Sequence, residues 1–119
     1  MEEFILKKDF LDWIGNLKNL KGLSENTLSA YQRDVKKFIV FLTNYLGSDP
    51  NLVDLSNLTN TNFRGYLAEQ KNLGNSNVSI GRQISSLKSF FNYLIRIKKI
   101  NNSPIITLKG PRHKKSLPR

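Results

Sequence analysis

These 119 residues contain no cysteine, which excludes a disulfide framework and any thiolate metal site and suits a reducing compartment, with the cytoplasm as the expected address. The single histidine, His113, has neither a second histidine nor a cysteine to complete a ligand set, so no metal site is expected. No apolar run approaches the roughly 20 residues that span a bilayer. The start, MEEFILKKDF, is too charged for a signal peptide, so no membrane segment is expected. Acidic residues are scarce: nine Asp and Glu stand against 19 Lys and Arg, a net charge of +10.

The acids are also unevenly placed. Glu2, Glu3, Asp9 and Asp12 fall among the first twelve positions, and none follows Glu69, whereas Lys71, Arg82, Lys88, Arg96, Lys98, Lys99, Lys109, Arg112, Lys114, Lys115 and Arg119 do. A purely basic carboxyl-terminal part implies a polyanion partner, because neutralising phosphates releases condensed counterions. An anionic membrane surface is the rival partner, and solubility alone the plainest account. No acid, base, nucleophile or metal set clusters in the sequence, so a complete small enzyme is rejected: no catalytic residue and no cofactor is assigned.

The length suits one domain with a single modest core. Its clearest element is residues 79–94, SIGRQISSLKSFFNYL. Ile80, Ile84, Leu87, Phe91 and Leu94 step by three and four and form one helical face. Arg82, Ser85, Ser89, Asn92 and Arg96 occupy the opposite side, with Ser86 and Tyr93 flanking it. That side is basic and low, with serines where a solvated helix usually carries better helix formers. It suits either close approach of another surface or simple exposure.

Three further helices precede it. Leu6, Phe10, Trp13, Leu17 and Leu20 predict the first over residues 3–19, with Lys21 and Gly22 as its stop. Ser24 caps the second, whose buried stripe is Leu28, Tyr31, Val35, Phe38, Leu42 and Tyr45. Opposite lie Asn26, Ser29, Arg33, Lys36, Lys37 and Asn44, while Val40 and Phe41 fall off the stripe, toward a further neighbour. Residues 47–58 read as a connection. Thr59 or Thr61 caps a short third helix with Phe63, Tyr66 and Leu67 inward, and residues 73–76, LGNS, stop it and cap the fourth. Gly81 either admits a phosphate or marks fraying. With three prolines, one glycine and no helical period, the tail reads as extended and weakly self-structured after about Asn102.

SENTLSAYQRD, then SNVSIGRQISSLKSFFNYL, then NSP and KGPRHKKSLPR together resemble the amino-terminal core-binding domain of tyrosine recombinases, nearest to the Xer group among the phage-integrase relatives. The resemblance covers essentially the whole chain. It implies an all-α fold, a four-helix SAM-like bundle over residues 1–101, followed by an extended basic interdomain linker over residues 102–119. It implies double-stranded DNA as partner, with the second and fourth helices crossing the major groove of a recombination half-site and the first helix helping protomers meet. The family's catalytic Arg, Lys, His and Tyr belong to a second domain that would begin where this chain stops, so the chain is expected to be non-catalytic by itself. Tyr31, Tyr45, Tyr66 and Tyr93 sit on amphipathic helices and are not candidates for the nucleophile.

Carried onto this sequence, the resemblance assigns DNA contact to Ser24, Asn26 and Thr27 at a helix amino end, where hydroxyls and backbone N–H groups meet a phosphate; pure capping is the alternative, and for Ser24 the two can coexist. Arg33, Lys36, Lys37, Arg82, Lys88 and Arg96 are expected to face phosphates or a groove edge, and Ser85 and Ser89 to allow close approach. Arg112, Lys114 and Lys115 are expected to track the backbone. Arg33 and Arg82 lie off the apolar stripes, so their loss should spare the fold. Asp34 reads as a local surface pair beside Arg33. The alternative function is a stand-alone helical protein-interaction module or regulator without specific DNA binding.

Overall fold

The computed structural model describes residues 4–20 and 22–111. Among them it is all helical, with α1 over Lys7–Leu20, α2 over Glu25–Leu46, α3 over Leu52–Ser56, α4 over Asn60–Asn72, α5 over Asn77–Arg96, and a 3₁₀ turn over Pro104–Thr107. The expected bundle is present, with one helix more than the four predicted. The addition, α3, lies inside the segment read as a connection. It is short but well capped: Asn51 Oδ1 accepts from the Asp54 N–H at 2.8 Å, and Asp54 Oδ2 accepts from the Asn51 N–H at 2.9 Å. Leu55 is its buried anchor.

Caps set the remaining boundaries. The Ser24 hydroxyl accepts from the Thr27 N–H at 3.2 Å, and α2 ends on Gly47 at φ 81°, a left-handed conformation that suits glycine. Thr59, not Thr61, caps α4, and Ser76 caps α5. Residues 4–6 lie outside α1, so the first helix starts later than predicted.

The longest helices, α2 and α5, pack against each other, and α5 also meets α1, α4 and the 3₁₀ turn. Phe38 of α2 is the hub: its ring stacks on Phe63 at 5.4 Å and meets Tyr66 and Phe91 edge-on at 5.0 and 6.3 Å. Edge-on and offset arrangements favour the ring quadrupoles. Two expectations for α2 need correction. Tyr45, placed on the buried stripe, is 62 % exposed, whereas Ile39, off it, is buried. Phe41 finds its neighbour in α4, its ring 4.9 Å from Tyr66.

The tail differs most from its prediction. Ser103, Ile105 and Leu108 are buried, and the Ser103 hydroxyl caps the 3₁₀ turn by accepting from the Ile105 N–H. The chain then returns along α5: a Cβ on Gly110 would stand 3.5 Å from Ile84 Cδ1 and 3.8 Å from Gly81 Cα. What comes close to Gly81 is therefore this chain's own backbone. Two isoleucines and a leucine in the tail outweigh its prolines, because the gap beside α4 and α5 gives them somewhere to bury. The extended reading is thus corrected over residues 103–108, while its continuation over residues 112–119 lies outside the described residues.

Candidate nucleic-acid interface

Seven of the predicted contact residues divide between two grooves. Ser85, Lys88, Ser89 and Arg96 of α5 line a groove with Trp13 and Asn16 of α1, Tyr31 of α2, and Asn92 and Tyr93. Among the described residues, none that lines it is acidic. Arg33, Lys36 and Lys37 of α2 line another, with Val40, Phe41, Tyr45, Tyr66 and Glu69, between α2 and α4. The basic residues of the second and fourth predicted helices thus line separate grooves with no lining residue in common.

In the α1–α5 groove, several polar groups are already engaged. Trp13 Nε1 donates to Ser89 Oγ at 3.0 Å, and this half-buries the serine expected to lie open. Arg96 Nη2 donates to Asn16 Oδ1 at 2.9 Å, and its guanidinium carbon lies 5.5 Å from the centre of the Tyr93 ring. A cation at this distance from a ring is attracted by the ring's quadrupole. Ser85 is exposed and Lys88 half-buried. Asn92, Tyr31, Asn16 and Tyr93 were not among the predicted contacts. The i, i+3 and i+4 stepping of Asn92 from Ser85 and Ser89 pointed to it, but no sequence signal places Tyr31 or Asn16 beside α5.

In the α2–α4 groove, Arg33, Lys36 and Lys37 are exposed. Lys36 Nζ stands 5.6 Å from the centre of the Phe10 ring. The Phe41 and Tyr45 rings stack at 6.1 Å, and Val40 is 58 % exposed, which makes this groove more apolar than the other. At its floor the Tyr66 hydroxyl is buried and meets no hydrogen-bond partner among the described residues. Burial, reinforced by the charges of Asp34 and Glu69, pushes this phenol well above its ordinary value.

Arg82 departs most from expectation. It was assigned to a phosphate, yet Nε donates to Asp34 Oδ2 at 2.8 Å and Nη2 to Asp34 Oδ1 at 2.7 Å. Asp34 is 1 % exposed, not a surface partner of Arg33. The Ser86 hydroxyl, also buried, lies 2.8 Å from Asp34 Oδ2 and 3.0 Å from the Arg82 carbonyl oxygen, one donor shared by two acceptors. The bond to Asp34 holds the Arg82 guanidinium even further above its ordinary value. Spacing alone placed both serines of 85–86 near the polar face, and packing against α2 separates them.

At the start of α2, Ser24 spends its hydroxyl on capping and on Thr27 Oγ1 at 3.1 Å, with Asn26 exposed and Thr27 half-buried. Arg112, Lys114 and Lys115 lie outside the described residues. No group of three or more His, Asp or Glu able to hold a metal comes together among the described residues. No helix among them is long and apolar enough to cross a membrane.

Known proteins supply the context for this geometry. Residues 11–98 match the model of the phage integrase, N-terminal SAM-like domain. The chain is 35 % identical over 108 residues to tyrosine recombinase XerC of Brucella suis, an overlap of 91 % of this chain and 34 % of that protein. It is 34 % identical to XerC of Mesorhizobium japonicum over 125 residues, all of this chain and 40 % of the relative. With tyrosine recombinase XerD of Listeria innocua it shares 36 % over 99 residues, 83 % of this chain and 32 % of the relative. No solved structure matches. The chain spans about a third to two fifths of the length of these relatives. With 88 consecutive positions matched (98 − 11 + 1) and the helical bundle in place, the chain belongs to the phage integrase N-terminal SAM-like domain family.

Proposed function

We propose that this chain is the DNA-binding domain of a site-specific tyrosine recombinase, which contacts a recombination half-site, helps protomers assemble in the full-length protein, and performs no strand cleavage by itself. The observation that carries the reading is the groove between α1 and α5, lined by no acidic residue among those described, where Lys88 and Arg96 flank the low serine face. A duplex brings closely spaced phosphates, and such a groove offers them cations and small hydroxyl donors with no carboxylate to repel them. The names of the relatives support the recombinase part. In this reading the core-binding unit extends through the buried Ile105 and Leu108, and the residues that follow serve as the link to a catalytic domain.

A second reading, a helical protein-interaction module, is favoured by the α2–α4 groove with its exposed Val40 and Tyr45. Salt separates the two. The DNA reading expects weak duplex binding, on the order of 10⁻⁴ to 10⁻⁶ M, falling steeply with ionic strength. Changing Lys88 and Arg96 together to Gln should lower affinity and flatten the salt slope by about 0.9 per lost phosphate contact. The same change at Lys7 and Lys8, near the acids of α1, should do little. Equal losses in both variants would reduce the protein to a cationic bundle that adheres to any polyanion.

A further inference from the structure

Arg82 has five N–H donors, and two of them, Nε–H and one on Nη2, are spent on Asp34. The other three (5 − 2), the second on Nη2 and both on Nη1, meet no acceptor among the described residues. One on each Nη makes up the end-on edge of the guanidinium, which forks onto two adjacent acceptors, and the third, on Nη1, faces the Cδ side. The pair is lopsided: the Asp34 side chain is 1 % exposed, while that of Arg82 is 37 % exposed. An ion pair built only to fill a core buries both partners, and such pairs are often no more stabilising than the apolar residues that replace them. Here the buried member has its position fixed by Ser86 as well as by Arg82, and the exposed member has one edge fixed and one edge free. Ser85, exposed on the next turn of α5, lies beside it on the helix surface.

Resting on the DNA reading above, we propose that Asp34 is a positioning residue that holds Arg82 by its Nε edge, so that the Nη edge stands ready to take two adjacent acceptors on duplex DNA. The acceptors are two oxygens of one phosphate, or the O6 and N7 of a guanine; both present a pair of acceptors to a bidentate arginine. A free arginine loses rotamer freedom when it docks, whereas Arg82 has already lost it on folding, so the contact forms with a smaller entropic loss. The correction to Arg82 thus changes its role from a free surface cation to a pre-set one.

The test separates this role from bulk charge because the two predict opposite signs. Asp34→Asn raises the net charge from +10 to +11, and counterion release alone should tighten binding. Positioning instead expects Asp34→Asn to weaken duplex binding by about two- to tenfold with the salt slope unchanged. Arg82→Lys, which keeps the charge and a bond to Asp34 but loses the fork, should show the same loss. Circular dichroism checks that each variant is folded. Two duplexes of equal length, one of A·T pairs only and one mixed, distinguish the acceptors: a loss on both indicates phosphate, a loss confined to the mixed duplex indicates guanine. Nitrogen-labelled arginine in the wild-type chain needs no variant: on adding duplex, the Arg82 Nη signals should shift while Nε–H stays put. Silent Nη signals, or folded variants that bind as tightly as wild type, overturn the proposal. A wild-type chain that binds no duplex would instead overturn the DNA reading itself, and the proposal with it.

Discussion

Trp13 and Ser89, 76 residues apart, join α1 to α5 through an indole N–H that donates to a serine hydroxyl at 3.0 Å. Trp13 is fully buried, and its ring meets Phe90 edge-on at 5.3 Å, so the serine supplies the polar partner the indole needs in an otherwise apolar site. A residue expected to be an open approach point on the DNA side is also a structural one. Ser89→Ala should cost roughly 1–3 kcal/mol, the usual range for leaving a buried donor unpaired. Urea unfolding followed by tryptophan fluorescence measures it, and the indole N–H should exchange faster in the variant.

Arg82 carries the second prediction. Its truncation to Ala strands a buried carboxylate, a change that costs ~3–5 kcal/mol in fully buried pairs. With the Arg82 side chain 37 % exposed, water reaches the gap and the loss should fall at the lower end. The expectation that Arg82 can be removed without harm to the fold is therefore replaced. Arg33→Ala, exposed and off the core, should stay within about 0.5 kcal/mol of wild type. Denaturant midpoints of the two variants provide the comparison.

Beyond Asn102 the chain contributes to the core, which makes it sensitive to truncation. Ile105→Ala should cost ~2–5 kcal/mol, as buried Ile or Leu to Ala changes do. Amide exchange should show protection at Ile106 and Leu108, whose N–H groups donate to the Ser103 and Ile105 carbonyls. A chain cut after Asn102 that unfolds at the same urea concentration as the full chain would refute this.

Alkaline pH should find Tyr66. Its folded-state pKa is raised above the ordinary value of 10.0, first by burial and then by the charges of Asp34 and Glu69. The unfolded chain therefore releases this proton first, so stability is intact below about pH 10 and falls as pH rises above it. Tyr66→Phe removes both the titration and a buried hydroxyl that finds no partner among the described residues, so it should be neutral to about 1 kcal/mol stabilising at pH 7 and flatter above pH 10. Denaturant unfolding at a series of pH values checks the sign.

Local chemistry was legible without coordinates. Ser24 and Ser76 announced their helices because a hydroxyl that can satisfy first-turn N–H groups needs only its own neighbours. Leu28, Val35, Phe38 and Leu42, and likewise Ile80, Ile84, Leu87, Phe91 and Leu94, declared their buried faces by period alone. The missing acids after Glu69 declared the sign of the surface. Tertiary structure decided whatever depends on which helix lies across from which. Asp34 and Arg82 are 48 residues apart, and no pattern along the chain shows that α2 and α5 bring a carboxylate under a guanidinium. Ser85 and Ser86 look alike in sequence, yet the approach of α2 leaves the first exposed and buries the second. Ile105 and Leu108, flanked by proline and lysine, read as linker until α4 and α5 leave a gap for them. Caps and periods are set within a few residues of chain, whereas burial and pairing are set by surfaces that meet only when the chain folds.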